Sequence, residues 1–262
     1  MKHWLRLYYF FVKTSIITDL QYRGNFFLLI LVYTLWGGAY LSLYLFIFQH
    51  LEGVADWNLQ RSLTLSATFL IIHALNRMFF ARNLRCFPQL VYQGDLDLIL
   101  IKPISSQFFV SLRRFNFIPL LRFFISCLIL ILILRQNAAE ISFLSFINYF
   151  LFLIIATIIT YSLWFMICCS IFWLGNIENI FELFHPIFRM TNFPLDILPT
   201  ILKEILFFII PLAFITTVPA KALFGFISWP TVFYGIFISL FFFFLSTRLW
   251  HLALKTYSSV SS

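Results

Sequence analysis

Glu178, Glu182, His185 and Arg189 are the residues of this chain best spaced for joint chemistry. Steps of four, three and four put all of them on one face of a helix. Carboxylates beside an imidazole and a guanidinium can pair, pass a proton or line a polar path. Held in lipid, such a group costs several kcal/mol unless its members pair or face water. Held in water, the same stripe is the solvated side of an amphipathic helix, and both readings stand. A second group lies in residues 81–114, where Arg82, Arg85, Lys102, Arg113 and Arg114 face Asp95 and Asp97. This is a long basic interval in a chain otherwise rich in Phe, Leu and Ile, so it is where a soluble partner would dock. No G-x-x-x-x-G-K-[ST] occurs among the eight glycines, so the chain itself carries no ATP-binding P-loop. No zinc-protease or serine-hydrolase motif occurs either. Cys86, Cys127, Cys168 and Cys169 lack metal-ligand spacing, so no metal site is expected. An intramembrane enzyme built on His73 or His185 has no surrounding motif to support it.

The elements that must position these groups are membrane helices. Hydrophobic residues make up 62% of the 262 residues and charged ones 11%. A soluble domain carries roughly a quarter charged residues. The length allows about six spans of about 20 residues and no separate soluble domain. The +8 charge is read as a membrane-topology and headgroup signal, with no nucleic-acid partner expected. The first unit, 1–25, begins as an amphipathic helix with Lys2, Arg6 and Lys13 in one stripe opposite Trp4, Leu7, Tyr8 and Phe11, suited to the membrane interface. It reads as retained, with no signal-peptide cleavage pattern.

Spans follow at about 26–48, 62–80, 115–134, 147–173 and 226–247. Gly37-Gly38 would permit close helix approach in the first of them, and Arg77 would snorkel at the end of the second. The region between 174 and 224 has two parses. In one, 177–194 is a polar fifth span and 195–224 a helical hairpin that dips back into the outer leaflet. In the other, 174–200 is a loop and 203–222 the fifth span. Either gives six spans with both termini on one side. With the first parse that side collects four Lys and Arg in 1–25, five in 81–114 and two after 247. The other side has Arg61, Arg135, Lys203 and Lys221, so both termini are expected in the cytoplasm.

Gly94-Asp95-Leu96-Asp97, then Leu100, Lys102-Pro103 and Ile104, resembles the loop after the second span of ABC-2-type permeases. Phe193-Pro194-Leu195-Asp196-Ile197-Leu198-Pro199, then Ile209 to Phe214 with Pro211, and Pro219-Ala220, resembles a second signature of that family. Arg23-Gly24-Asn25-Phe26 after the basic helix is similar in kind. The subfamily most resembled is one of exporters built from separate membrane and ATPase polypeptides. Thr200, Ser106 and Thr216-Thr217-Val218 depart from the pattern, which bears on substrate chemistry.

The resemblance implies one all-α transmembrane domain over 1–262. It would have six membrane helices, an interfacial N-terminal helix and a re-entrant hairpin at 195–224 before the last span, carrying Pro194, Asp196, Pro199, Pro211 and Pro219. It implies a bacterial inner-membrane permease for an amphipathic or hydrophobic substrate. The chain would bind no cofactor, with ATP and Mg held by cytoplasmic ATPase partners, and would pair with a second permease, identical or different. Arg82, Arg85, Gly94, Asp95, Asp97, Lys102 and Pro103 would then couple to the ATPase, and Glu178, Glu182, His185 and Arg189 would line the path or a subunit interface. The competing class is a stand-alone gradient-driven transporter or lipid scramblase using the 178–189 group.

Overall fold

The computed structural model describes residues 2–21, 57–136, 141–175 and 186–257, with isolated helical positions between 24 and 46. The span expected over 26–48 is covered only at those positions. Helix α1 is Lys2–Gln21. Helix α2, Leu59–Asn76, starts at Asn58, whose side chain accepts from the Arg61 backbone N–H at 2.9 Å. This satisfies one of the donors that a helix start leaves open.

The fully buried Ser66, Thr64 and Thr68 of α2 turn their hydroxyls back onto the carbonyl four residues earlier, at 2.7–3.0 Å. A buried hydroxyl with no partner would cost free energy. Thr68 Oγ1 also lies 3.0 Å from the hydroxyl of Tyr149, tying α2 to the later helix Phe143–Cys169.

Rather than stopping at residue 80, α2 runs through a wide turn at Arg77–Ala81 into a last turn at Arg82–Arg85. The expected polar loop is itself folded, as α3 (Phe87–Tyr92), α4 (Asp95–Leu100) and α5 (Ser106–Leu112). Pro88 starts α3, where its missing N–H costs nothing. Gly94 links α3 to α4 at φ 76°, the left-handed conformation that a side chain would oppose.

Helix α6 is Leu120–Gln136 and packs along α2. Helix α7 is Phe143–Cys169, capped by Ser142, with one further turn at Ile171–Leu174 ending at Gly175. Helix α8, Thr200–Glu204, continues through Ile205–Ile209. Pro211 then stops it, forcing Ile210 out of the helical region to φ −113° and ψ 93°. The chain reverses through residues 210–216 into α9 (Thr217–Leu223), and every residue from Pro211 to Ala220 is buried. Helix α10, Trp229–Thr256, packs most extensively on α7.

Among the described residues, three helical stretches are long and apolar enough to cross a membrane: Leu59–Tyr92, Phe143–Leu174 and Trp229–Thr256. Between them lies a core in which Phe152 and Ile159 of α7 meet Ile71, Leu212, Phe214 and Leu223. Close approach comes at Gly235 of α10, where an added Cβ would sit 2.9 Å from Phe152 Cε1 and 3.0 Å from Phe214 Cε1. At Gly37 and Gly38, expected to permit close approach, it would meet nothing within 4 Å among the described residues. Gly235→Leu therefore overpacks the α7–α10 contact, at a cost of about 1–3 kcal/mol. A lowered thermal midpoint in detergent, with Gly38→Leu as the near-neutral comparison, is the check.

Candidate functional site

The long helices end in two distinct polar regions. At one end, the apolar residues of the 82–112 segment recur every three or four positions and fold inward. Leu84, Phe87, Leu90, Leu96, Ile99 and Val110 are buried with Phe165, Cys168 and Cys169 of α7 and Trp250 and Ala253 of α10. The short helices are thus one helical module clamped onto α7 and α10.

Most of its polar interior is hydrogen-bonded, although the buried Nε of Arg113 has no hydrogen-bond partner among the described residues. The Asn83 amide donates to the carbonyls of Ser111 at 2.9 Å and Arg114 at 2.8 Å, and its oxygen accepts from the Arg114 N–H at 3.0 Å. The Tyr161 hydroxyl lies 2.9 Å from Ser111 Oγ and accepts from Gln107 at 3.2 Å. The α1 helix joins through Ser15 Oγ, which accepts from the Phe115 N–H at 3.0 Å, and through Phe11 against Phe109. Asn83→Leu leaves three backbone groups without partners and is expected to cost about 2–4 kcal/mol. Faster hydrogen exchange in 105–115, with α9 unchanged, is the signature.

What the module turns outward is charged and apolar at once. Arg85, Asp95, Lys102 and Pro103 are exposed, Arg82, Gly94 and Asp97 half-buried. Beside them Leu98 is 60% and Ile101 79% exposed. Asp95 and Asp97 sit in the first turn of α4, where the backbone N–H groups favour negative charge. Lys102 Nζ rests 4.3 Å from the centre of the Phe109 ring. Burial, then the charge of Arg114, pulls the Arg113 guanidinium below its ordinary pKa. Burial, with Asp97 adding to it, pushes the Tyr257 phenol up.

At the other end, Asp196 gathers residues from three other parts of the chain. Its Oδ1 lies 2.8 Å from Lys203 Nζ, its Oδ2 2.7 Å from Lys221 Nζ, and the indole N–H of Trp57 donates to Oδ2 at 3.1 Å. Burial works to raise this carboxyl, but the bonds from Lys203, Lys221 and Trp57 outweigh it and hold its pKa below the ordinary carboxylate value. Arg61 lies over the Phe226 ring at 4.5 Å. Together these line a cavity of about 480 Å³. The segment carrying Asp196 is fixed from behind, since Thr216 Oγ1 donates to the Thr191 carbonyl and Thr217 Oγ1 accepts from the Leu195 N–H.

Between the two ends, Arg122 Nη1 lies 3.2 Å from His73 Nδ1. A guanidinium only donates, so Nδ1 accepts.

Of the expected site residues, the structure brings Arg82, Arg85, Gly94, Asp95, Asp97, Lys102 and Pro103 into the module. In the hairpin region Pro194 and Pro211 are buried, Pro219 is buried within α9, and Pro199 is exposed ahead of α8. Glu178, Glu182 and His185 lie outside the described residues, and Arg189 is exposed. Sequence reasoning missed Asn83, Trp250, Leu98 and Ile101 as module residues, the Arg122 partner of His73, and the Trp57–Asp196 link. Arg61, Lys203 and Lys221, which the sequence put on one side, do meet.

Among the described residues no group of His, Cys, Asp and Glu is arranged to hold a metal. A profile of the family described as ABC-2 family transporter protein matches residues 34–261. No curated protein and no solved structure matches the chain.

Proposed function

Because the chain belongs to the ABC-2 family of transporter proteins, we propose that it is the permease subunit of an ATP-driven exporter. A separate cytoplasmic ATPase supplies the energy, holding ATP and Mg, and this chain hydrolyses nothing. The reading is supported above all by the 82–112 module. It exposes acidic, basic and apolar side chains together, as a protein-docking surface does, while its underside is packed onto the ends of α7 and α10. A push on that surface reaches two long helices through buried contacts.

In this account the protein sits in the bacterial inner membrane with both termini and the module in the cytoplasm. It has six spans and α1 in the interface. Residues 195–224 form a re-entrant hairpin on the outer side, with the buried Pro211 as its turning point. A second permease, identical or different, completes the pathway, and residues 178–189 line it or the subunit interface. The substrate is amphipathic or hydrophobic and leaves from the cytoplasm or inner leaflet. ATP-driven closure of the ATPase pair tilts α7 and α10 through the module and opens the path outward.

Ile101→Cys, on the exposed tip of α4, tests the docking surface. A thiol-to-amine crosslinker applied in native membranes is expected to join it to an ATP-binding protein. Crosslinks only to lipid or to another copy of the chain would count against the reading.

A further inference from the structure

Helix α1 meets the module with one row of side chains and leaves another row uncovered by the described residues. Tyr8, Phe11 and Ser15 recur at three and four positions and form the inner row. The Tyr8 hydroxyl is buried, the Phe11 ring stands edge-on to Phe109 at 5.4 Å, and Ser15 Oγ accepts from the Phe115 N–H at 3.0 Å. Asp19 continues that row by the helical period. Phe11, which the amphipathic pattern sets opposite the cations, is thus held by protein. The outer row runs Lys2, Arg6, Phe10, Lys13 and Ile17, at steps of four, four, three and four. Of these Phe10, Lys13 and Ile17 are exposed, with Tyr9 beside them. Thr14 and Thr18 turn their hydroxyls onto the carbonyls of Phe10 and Thr14, both at 2.9 Å, so neither needs a water partner. The contacts also fix where along the spans α1 sits. Phe115, its anchor, lies just ahead of α6, and the next residue, Asn116, donates its N–H to the Met78 carbonyl at 3.0 Å, where α2 gives way to the module. A row of cationic, aromatic and aliphatic side chains, with no acidic member, therefore stands where two apolar helices end.

We propose that the outer row of α1 docks on anionic lipid headgroups, and that lipid charge thereby sets how firmly the module is held. Headgroups take the cations, while Tyr9, Phe10 and Ile17 enter the boundary with the acyl chains. Each basic residue near an anionic leaflet strengthens the contact by a factor of roughly five. What the lipid holds on one side of α1, Phe11 and Ser15 pass to Phe109 and Phe115 on the other. The helix is thus a strut between the membrane surface and the end of α5. Its consequence for transport rests on the module being the surface where the ATPase docks; the lipid contact itself does not.

The experiment reads hydrogen exchange by peptide on the full-length protein, with no ATPase present. The protein is held in nanodiscs of phosphatidylcholine alone or mixed with an equal part of phosphatidylglycerol. The anionic mixture is expected to slow exchange in 2–21 by roughly fivefold or more, and exchange in 105–115 with it. K2Q/R6Q/K13Q should exchange alike in both lipids. K2R/R6K/K13R keeps the charge and should keep the response, which separates loss of charge from loss of fold. Ser15→Ala cuts the link, so that 2–21 still responds to the lipid and 105–115 no longer does. Equal exchange of 2–21 in the two lipids means that protein alone covers α1 and overturns the proposal. An unchanged response in K2Q/R6Q/K13Q overturns it too, as does a native 105–115 segment that ignores the lipid. Failure of the ATPase crosslink would leave these rates as they are, so the two readings fail separately.

Discussion

Trp250→Ala detaches the 82–112 module from the membrane helices and costs about 3–5 kcal/mol. The indole is 1% exposed, and its ring lies 5.5 Å from Phe165, 5.7 Å from Phe87 and 6.1 Å from Phe172. It also donates to Ser106 Oγ at 3.1 Å, the start of α5. One side chain of α10 therefore holds α3, α5 and the end of α7 together. Truncation removes three ring contacts and leaves a cavity at their junction. Trp250→Phe restores most of the volume but not the N–H, and is expected to cost only about 1–2 kcal/mol. Hydrogen exchange read by peptide should show 87–112 losing protection in Trp250→Ala while 211–223 keeps it. Uniform loss along the chain would mean that the module is not a separate cooperative unit. Under the proposed function, an ATPase docking on a loosened module would no longer move α7 and α10.

The second large effect is at Asp196. Asp196→Ala leaves two lysines facing each other across the cavity and strips the Trp57 N–H of its acceptor, at about 2–4 kcal/mol. The pH dependence carries a definite sign. The folded-state pKa of Asp196 is depressed, so the unfolded chain binds more protons in the window between the two values. The clamp's contribution is complete above the ordinary carboxylate pKa of about 3.9 and is lost as pH falls through the depressed value. The thermal midpoint gap between the native protein and Asp196→Asn should thus be constant near neutral pH and close only below about pH 4. A gap that closes between pH 5 and 7 would assign the linkage to another group.

Much of this was legible from the sequence for a simple reason: an apolar helix in lipid must satisfy its own backbone, so composition leaves little choice. The helices α2, α6, α7 and α10 fall where the apolar runs are, with ends shifted by a few residues, except that α10 runs nine residues past the expected end at 247. The Gly94–Asp97 and Pro211–Ala220 motifs mark, respectively, a left-handed link and a buried reversal, local features that short sequence patterns encode well. The 81–114 segment was less legible. Its charges suggest a loop, while the three- and four-residue recurrence of Leu84, Phe87, Leu90 and Val91 is that of a helix with one buried face. What the sequence does not carry is long-range pairing. Trp57 and Asp196 are 139 positions apart, and Trp250 and Ser106 are 144. Nothing local to either residue names its partner.

The docking of a separate ATPase on the module is the central claim, and co-purification tests it most directly. The tagged chain is isolated from its own host in mild detergent, and the proteins that come with it are identified and weighed. The account predicts a P-loop ATPase in near-equal amount, lost when Asp95 and Asp97 are replaced by alanine although the chain still inserts. A protein that comes down alone, and drives transport from an ion gradient, contradicts it.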